Sequence, residues 1–236
     1  MPGGSGPCGP APVSCIVPAF NSERFIGEAL ESILRQRAAP AEMIVVDDGS
    51  TDGTAAIVAG FGNRVQYVRQ PTSGPAATRN AGIAASRGEF IAFLDADDRW
   101  HDEKLERQLA CLAADQAIGV CVGRAQNFWA EELAHEQARL QEHPRARPIP
   151  AYVSGAMLAR RGVFERVGPF DSGLWFADAA DWFVRARRLG VRVHALPEVL
   201  LYHRLHRGNI SRRMSRESKS EFINVVRGVI HRRPPG

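Results

Sequence analysis

Short apolar runs alternate along the chain with longer segments whose apolar residues recur every three or four positions. VSCIV at 13–17, MIVV at 43–46, the stretch 64–68, EFIAFL at 89–94 and IGVCV at 118–122 are bounded by turn residues, a pattern that predicts strands. Between the first two, Phe25, Ile26, Ala29, Ile33 and Leu34 recur at helical spacing behind Ser22, the expected cap. Further helices are expected from Thr51 or Asp52 through Ile57 and Val58, over 74–86 behind a Gly-Pro step, and over 101–114. The order β-α-β-α-β-α-β-α-β predicts an α/β fold with a Rossmann-like, mostly parallel sheet and helices on both faces.

Polar residues punctuate this pattern at particular places. Three strands run into polar loops: PAFN at 18–21, DDGS at 47–50 and DADD at 95–98. Parallel topology would bring these loops to one rim, at the carboxyl ends of the strands, where open α/β sheets bind ligands. The later half is less regular. Residues 127–150 read as a surface helix and a mobile loop, 153–158 as a strand, and 160–167 as a short helix closed by Gly168-Pro169. An amphipathic helix is expected over 178–189, then short strands over 191–194 and 199–203.

Composition narrows the class. The 236 residues are 44% hydrophobic and 24% charged, ordinary for a globular protein. No apolar run approaches the roughly 20 residues of a transmembrane helix. The Gly/Pro-rich start, residues 1–12, reads as a disordered leader and lacks the features of a signal peptide. Cys8, Cys15, Cys111 and Cys121 form no CxxC pair, which suits reduced thiols and a cytoplasmic setting. Net charge is +4, but nine Lys/Arg against two Glu lie between Arg204 and Gly236, leaving the first 203 residues net acidic. That basic end, read as a tail or helix over 213–236, is a candidate for peripheral contact with anionic lipid or for a phosphate-bearing ligand. Aromatic residues are not interleaved with it, which argues against nucleic acid.

Chemistry concentrates in the acidic loops. Asp95, Asp97 and Asp98 within four residues repel one another unless a cation or proton lies between them. One capping aspartate would satisfy a turn; a D-x-D pair instead offers oxygen ligands suited to Mg²⁺ or Mn²⁺. On these residues alone, cap and cation site both stand. GxxxxGK[ST] is absent, and no GxGxxG follows the first strand, which disfavours a P-loop or a dinucleotide cofactor.

VSCIVPAFN at 13–21, IVVDDGSTD at 44–52, ATRNAG at 77–82 and FLDADD at 93–98 come in this order, and YHRLHRGNIS at 202–211 follows. Together they resemble the GT-A fold glycosyltransferases of family 2, over nearly the whole chain after residue 12. The resemblance implies one domain over 13–212, with a nucleotide-sugar-binding half (13–125) and an acceptor-binding half with a smaller sheet (126–212). It implies a nucleotide-sugar donor, UDP-linked as the sharper expectation, and a divalent metal, Mn²⁺ or Mg²⁺. Pro18, Ala19, Phe20, Asn21 and Glu23 would line the nucleotide, with Phe20 stacking on the base. Asp48 would accept a hydrogen bond from a uracil-like base. Arg79, followed by Asn80, would approach the diphosphate. Asp97 would ligate the metal, and Asp95, across Ala96, would reach the ribose or a metal-bound water. Asp98 is the looser third member, a cap. His206 is the further metal ligand, with His203 its neighbouring alternative; Arg204, Arg207 and Asn209 would help cover the diphosphate.

The resemblance frays at the general base. The family pattern of an acidic pair before an acidic-aromatic step meets DAADW at 178–182, which places Ala179 at the usual base position. Asp178 is the expected substitute and Asp181 the runner-up, an acidic residue in a first helical turn being favoured anyway. An inverting transfer to an acceptor hydroxyl is expected, with the acceptor over Ser154–Met157 near Trp175 and Trp182. Ala179 also motivates the rival expectation, a nucleotide-sugar-binding protein without turnover.

Overall fold

The strands read as unbroken apolar runs because both faces of the sheet they form are covered. The computed structural model describes residues 11–140, 143, 146–209 and 215–231. In chain order the elements are β1 (Ala11–Ala19), α1 (Ile26–Leu34), β2 (Pro40–Asp47), α2 (Thr54–Ala59), β3 (Gln66–Arg69), α3 (Pro75–Ala85), β4 (Phe90–Phe93), β5 (Arg99–Trp100), α4 (Lys104–Ala114) and β6 (Ile118–Trp129). There follow α5 (Ala134–Leu140), β7 (Ile149–Pro150), β8 (Met157–Arg160), α6 (Arg161–Val167), α7 (Asp178–Arg188), β9 (Arg192–Leu205) and α8 (Ser215–His231).

Among the described residues the strands form one nine-stranded sheet, ordered β3-β2-β1-β4-β8-β6-β9-β5, with β7 on β6. β1 pairs in parallel with β2 and β4, and β2 with β3, so Ala19, Asp47 and Arg69 end at the same rim. The antiparallel β8 joins this half to β6 and β9, which are parallel to each other. The strands of the later half thus continue the same sheet.

Alternation along β4 shows how the core is divided. Phe90, Ala92 and Leu94 join the apolar cluster with Ile26, Leu30, Leu105 and Leu112 of α1 and α4. Ile91 and Phe93 join the opposite cluster with Phe164, Phe170, Trp182 and Ala186. Side chains alternate across a strand, so a strand buried on both faces must be apolar at every position. Gly82 lets α3 approach β1: a Cβ there would lie 2.3 Å from Ile16 Cγ2, so any side chain would force the helix away.

Several sequence expectations need correction. Ala11 and Pro12 belong to β1 and not to a disordered leader; residues 1–10 lie outside the described residues. Ser22 does not cap α1: its hydroxyl donates to Phe20 O, and only its carbonyl serves the helix start. Residues 127–129 extend β6 beside β9, because the Phe128 ring packs against the guanidinium groups of Arg99 and Arg204. The expected strand over 153–158 is a 3-10 turn over Ser154–Ala156 followed by β8. The two short strands over 191–203 are one strand, β9, and a short β5 went unseen before it. The basic end needs no correction: of its two expected forms, tail or helix, the described residues take the helix, α8.

Candidate functional site

The loops after β1 and β2 are tied together by short polar side chains. Asn21 has φ +46, a left-handed conformation that asparagine tolerates. Its Oδ1 accepts the Thr51 N–H at 2.9 Å, and its own N–H donates to Ser50 Oγ at 2.9 Å. Glu23 Oε2 accepts the Gly53 N–H at 2.7 Å, and the Glu23 N–H donates to Asp52 Oδ2 at 3.1 Å. These bonds leave Phe20 standing at the rim, 46% exposed, beside half-buried Pro18 and buried Ala19.

The two aspartates ending β2 have separate tasks. Asp47 is fully buried and accepts the Ser50 N–H at 2.7 Å and the Tyr67 hydroxyl. Burial alone would raise its pKa; the hydrogen bonds from Ser50 and Tyr67 outweigh this and hold it below the usual carboxylate range. Burial, together with the same pairing to Asp47, pushes the Tyr67 hydroxyl up to about 12. Asp48 gathers the loop before α3: Oδ1 accepts Gln70 Nε2 and the Ser73 N–H, both at 2.8 Å, and Oδ2 accepts the Gly74 N–H at 2.9 Å.

The three aspartates after β4 part company. Asp95, on the rim, takes Arg79 Nη2 at 2.7 Å. Asp97 Oδ2 meets His206 Nε2 at 2.9 Å and Asn209 Nδ2 at 3.1 Å. Asp98 is not a helix cap. It is buried, accepts the Arg204 N–H at 2.8 Å and faces His203 Nδ1 at 3.1 Å, pinning β9 to the acidic loop. Burial, with help from neighbouring Asp97 and Asp95, raises the Asp98 pKa to about 6 despite His203. Asp98 in turn raises the His203 pKa to about 9. Arg204 is likewise structural: it pairs with Glu28, donates to Asp97 O at 2.8 Å, and lies over the Phe25 and Phe128 rings. Arg207 is exposed.

Arg79 is the hub. Only 7% exposed, it donates to Asp95 at 2.7 Å with Nη2 and to Asp178 Oδ2 at 2.6 Å with Nη1. Burial alone would lower its pKa, but the two carboxylates drive it well above the ordinary value. Its Nε is buried without a hydrogen-bond partner among the described residues. Asp178 opens α7 and is itself buried. Asp181 lies elsewhere on the same helix, paired with Arg185 at 2.7 Å, and Arg185 also donates to the carbonyls of Val167 and Pro169. Asn80 is not brought into the cluster: its amide exchanges two 2.9 Å hydrogen bonds with the Phe170 backbone.

The aromatic residues expected near an acceptor also separate. Trp182 is fully buried, donates to Gly168 O and packs among Phe164, Phe170 and Phe183, so it is core. Ser154–Ala156 are buried too, and Gly155 O accepts the Trp100 indole N–H. Trp175 is 47% exposed and lies over Gly74, whose φ of +89 and missing side chain admit the ring.

Asp97 and Asp95 supply the carboxylate oxygens a hard divalent cation takes, and His206 adds an imidazole, a donor better suited to a transition metal such as Mn²⁺ than to Mg²⁺. Asp97 and His206 are within 3 Å of each other, and burial, which would raise the Asp97 pKa, is outweighed by the two nearby histidines. The described residues hold no ready-made cluster of three His, Cys, Asp or Glu ligands. Asp95 completes such a set only by giving up Arg79. His206 Nδ1 accepts the Gly208 N–H at 3.1 Å, so ligation through Nε2 also requires the other tautomer.

Sequence reading missed the partners rather than the anchors. Ser73 and Gly74 contribute backbone N–H groups, which leave no signal in side-chain type. Glu28 and Glu221 were invisible because nothing local marks an acidic residue on a helix as the partner of a distant group.

The sequence model of the family described as Glycosyl transferase family 2 matches residues 14–168, more than half of the chain. The succinoglycan biosynthesis protein ExoO of Rhizobium meliloti is 33% identical over 224 residues, covering 85% of this chain and 62% of that protein. An uncharacterized glycosyltransferase of Nostoc sp. is 27% identical over 212 residues, covering 84% of this chain and 66% of its own. The chain therefore spans about two thirds of these relatives' length, and less of others such as a Rickettsia felis glycosyltransferase, of which 18% is covered. Among solved structures, the mannosyltransferase PcManGT from Pyrobaculum calidifontis, in complex with GDP-Man and Mn²⁺, superposes with TM-score 0.71 at 22% identity, over 96% of this chain and 68% of that one. S. aureus TarS 1-349 in complex with UDP-GlcNAc gives 0.70 at 23%, over 92% and 65%. Both share the fold described above. That architecture and the family match agree: the chain belongs to glycosyl transferase family 2.

Proposed function

We propose that the chain transfers a sugar from a nucleoside-diphosphate sugar, UDP-linked, to an acceptor hydroxyl with inversion at the anomeric carbon. One observation carries this reading: buried Arg79 joins Asp95 of the donor rim to Asp178 of the acceptor half at 2.7 and 2.6 Å. A guanidinium so placed, with a spare buried Nε–H, suits the diphosphate oxygens of a donor. Phe20 offers its face to the base, and Asp48 is an acceptor for a uracil-like N–H. Asp97, Asp95 and His206 would hold Mg²⁺ or Mn²⁺. When bound, such an ion supplies charge stabilisation for the departing diphosphate. Asp178 takes the acceptor hydroxyl proton as that oxygen bonds to the anomeric carbon and the carbon–diphosphate oxygen bond breaks. Free Cys15, Cys111 and Cys121 suit a cytoplasmic setting.

A panel of UDP-, GDP- and dTDP-sugars with Mn²⁺ or Mg²⁺, scored by thermal stabilisation, tests the donor assignment. The reading expects a UDP-sugar to raise Tm with the metal and not in Asp97→Ala. A panel without any shift overturns it, and a product of retained configuration overturns the inverting step. Ala179 at the usual base position motivates the second reading, a nucleotide-sugar-binding protein without turnover. Donor binding with neither transfer nor donor hydrolysis would favour it.

A further inference from the structure

The C-terminal helix reaches the acceptor side through one residue. Glu221 of α8 accepts the Trp175 N–H at 3.1 Å and the Phe176 and Ala177 N–H groups at 2.7 Å each. Three successive backbone N–H groups converging on one carboxylate make an anion nest, here filled from within the chain. The helix they lead into has no cap of its own: its N-cap residue is Ala177, whose side chain cannot accept a hydrogen bond. Asp178 is the next residue, and the Trp175 ring lies over Gly74, the donor to Asp48. Glu221 therefore touches no donor-site group, yet it fixes the backbone on which the base and the exposed tryptophan are mounted.

We propose that Glu221 is a positioning residue for the transfer step, holding residues 175–178 so that Asp178 meets the acceptor. This rests on the reading of Asp178 as base. It assigns α8 a role that a solvated basic tail would not have.

The test compares Glu221→Ala, Glu221→Gln and the wild-type full chain. Hydrogen exchange of the 171–180 peptide is measured first. Amides 175–177 should be slow in wild type, faster by at least 10-fold in Glu221→Ala, and intermediate in Glu221→Gln, which retains one acceptor oxygen. UDP binding with Mn²⁺ should stay within about two-fold across the three. Turnover of the donor identified by the panel should fall at least 10-fold in kcat for Glu221→Ala with donor KM unchanged, and recover in part in Glu221→Gln. Equal exchange in wild type and Glu221→Ala overturns the proposal, as does an unchanged kcat. A merely destabilising change would instead accelerate exchange across the sheet and weaken UDP binding. If wild type turns over no donor, the transferase reading fails by itself, and the exchange pattern still decides whether Glu221 holds this loop.

Discussion

The aspartates at the end of β2 and those after β4 look alike in sequence but are held in different ways. Asp47 and Asp48 are engaged mainly by uncharged donors: backbone N–H groups of Ser50, Ser73 and Gly74, a glutamine amide and a tyrosine hydroxyl. Asp95 and Asp97 are engaged by Arg79 and His206, charged or titratable groups that arrive from elsewhere in the fold. Backbone donors cannot leave without unfolding the loop, so Asp47 is scaffold and Asp48 is held in place, with only its remaining lone pairs to offer a base. Side-chain cations can exchange one anion for another, so the second group can rearrange around a ligand. Asp98 marks the boundary: it sits among the exchangeable carboxylates but is buried and spends itself on β9.

Substitutions at the two strand ends should therefore fail in different ways. Asp97→Ala should lower metal-dependent turnover by about 10³-fold, the scale of losing a main electrostatic contact to the leaving group, while the urea midpoint of unfolding moves little. A large loss of stability would place Asp97 with the scaffold. Asp178→Ala should cost about 10²-fold or more in kcat, as expected for a lost general base, with UDP binding retained. Full activity would reject this base and leave the fold reading untouched. Asp47→Ala should show the reverse signature, destabilising by about 1–3 kcal/mol because the Ser50 N–H and Tyr67 hydroxyl lose a buried partner. Denaturant titration reads this directly.

Lys104 supplies a control, a buried cation with no carboxylate at all. It is fully buried, bonded to Gln108 at 2.8 Å and Met157 O at 3.1 Å, and lies over the Trp100 ring. Burial lowers its pKa from 10.5 to about 7. The unfolded chain then binds more protons than the folded one between those values, so stability rises with pH across that window. The charged-lysine cost is full below about pH 7. From pH 6.5 to 8.5 the Lys104 contribution should be a gain of about 2 kcal/mol. His203, held at about 9 by Asp98, works in the opposite sense over the same window, so the Lys104 slope is read as the difference between wild type and variant. Lys104→Met should remove this slope, and an unchanged slope would assign it elsewhere. The smallest expected effect is at the rim. Phe20→Ala should weaken nucleotide binding by roughly ten-fold, the scale of one aromatic contact, with stability unaltered because the ring is already half exposed.

The order of strands and helices through β4 was legible because local patterning fixes it: apolar runs, helical spacing and turn residues act within a few positions. The same applies to the acidic residues standing at strand ends, and so to the rim as a whole. Patterning faltered after residue 126, where β6 runs on past its apolar stretch because Phe128 packs on arginines from two other strands. It could not say what each carboxylate holds. Asp178 meets Arg79 across 99 residues, Asp97 meets His206 across 109, and Asp98 meets Arg204 across 106. Nor could it separate exposed Trp175 from buried Trp182, or see Glu221 beneath the start of α7. Sequence alone thus determined where charge would be concentrated, since turn chemistry and strand burial are local. Tertiary structure decided which charges are scaffold and which can meet a ligand, since a hydrogen-bond partner is chosen through space, by whatever the packed sheet and helices bring within 3 Å.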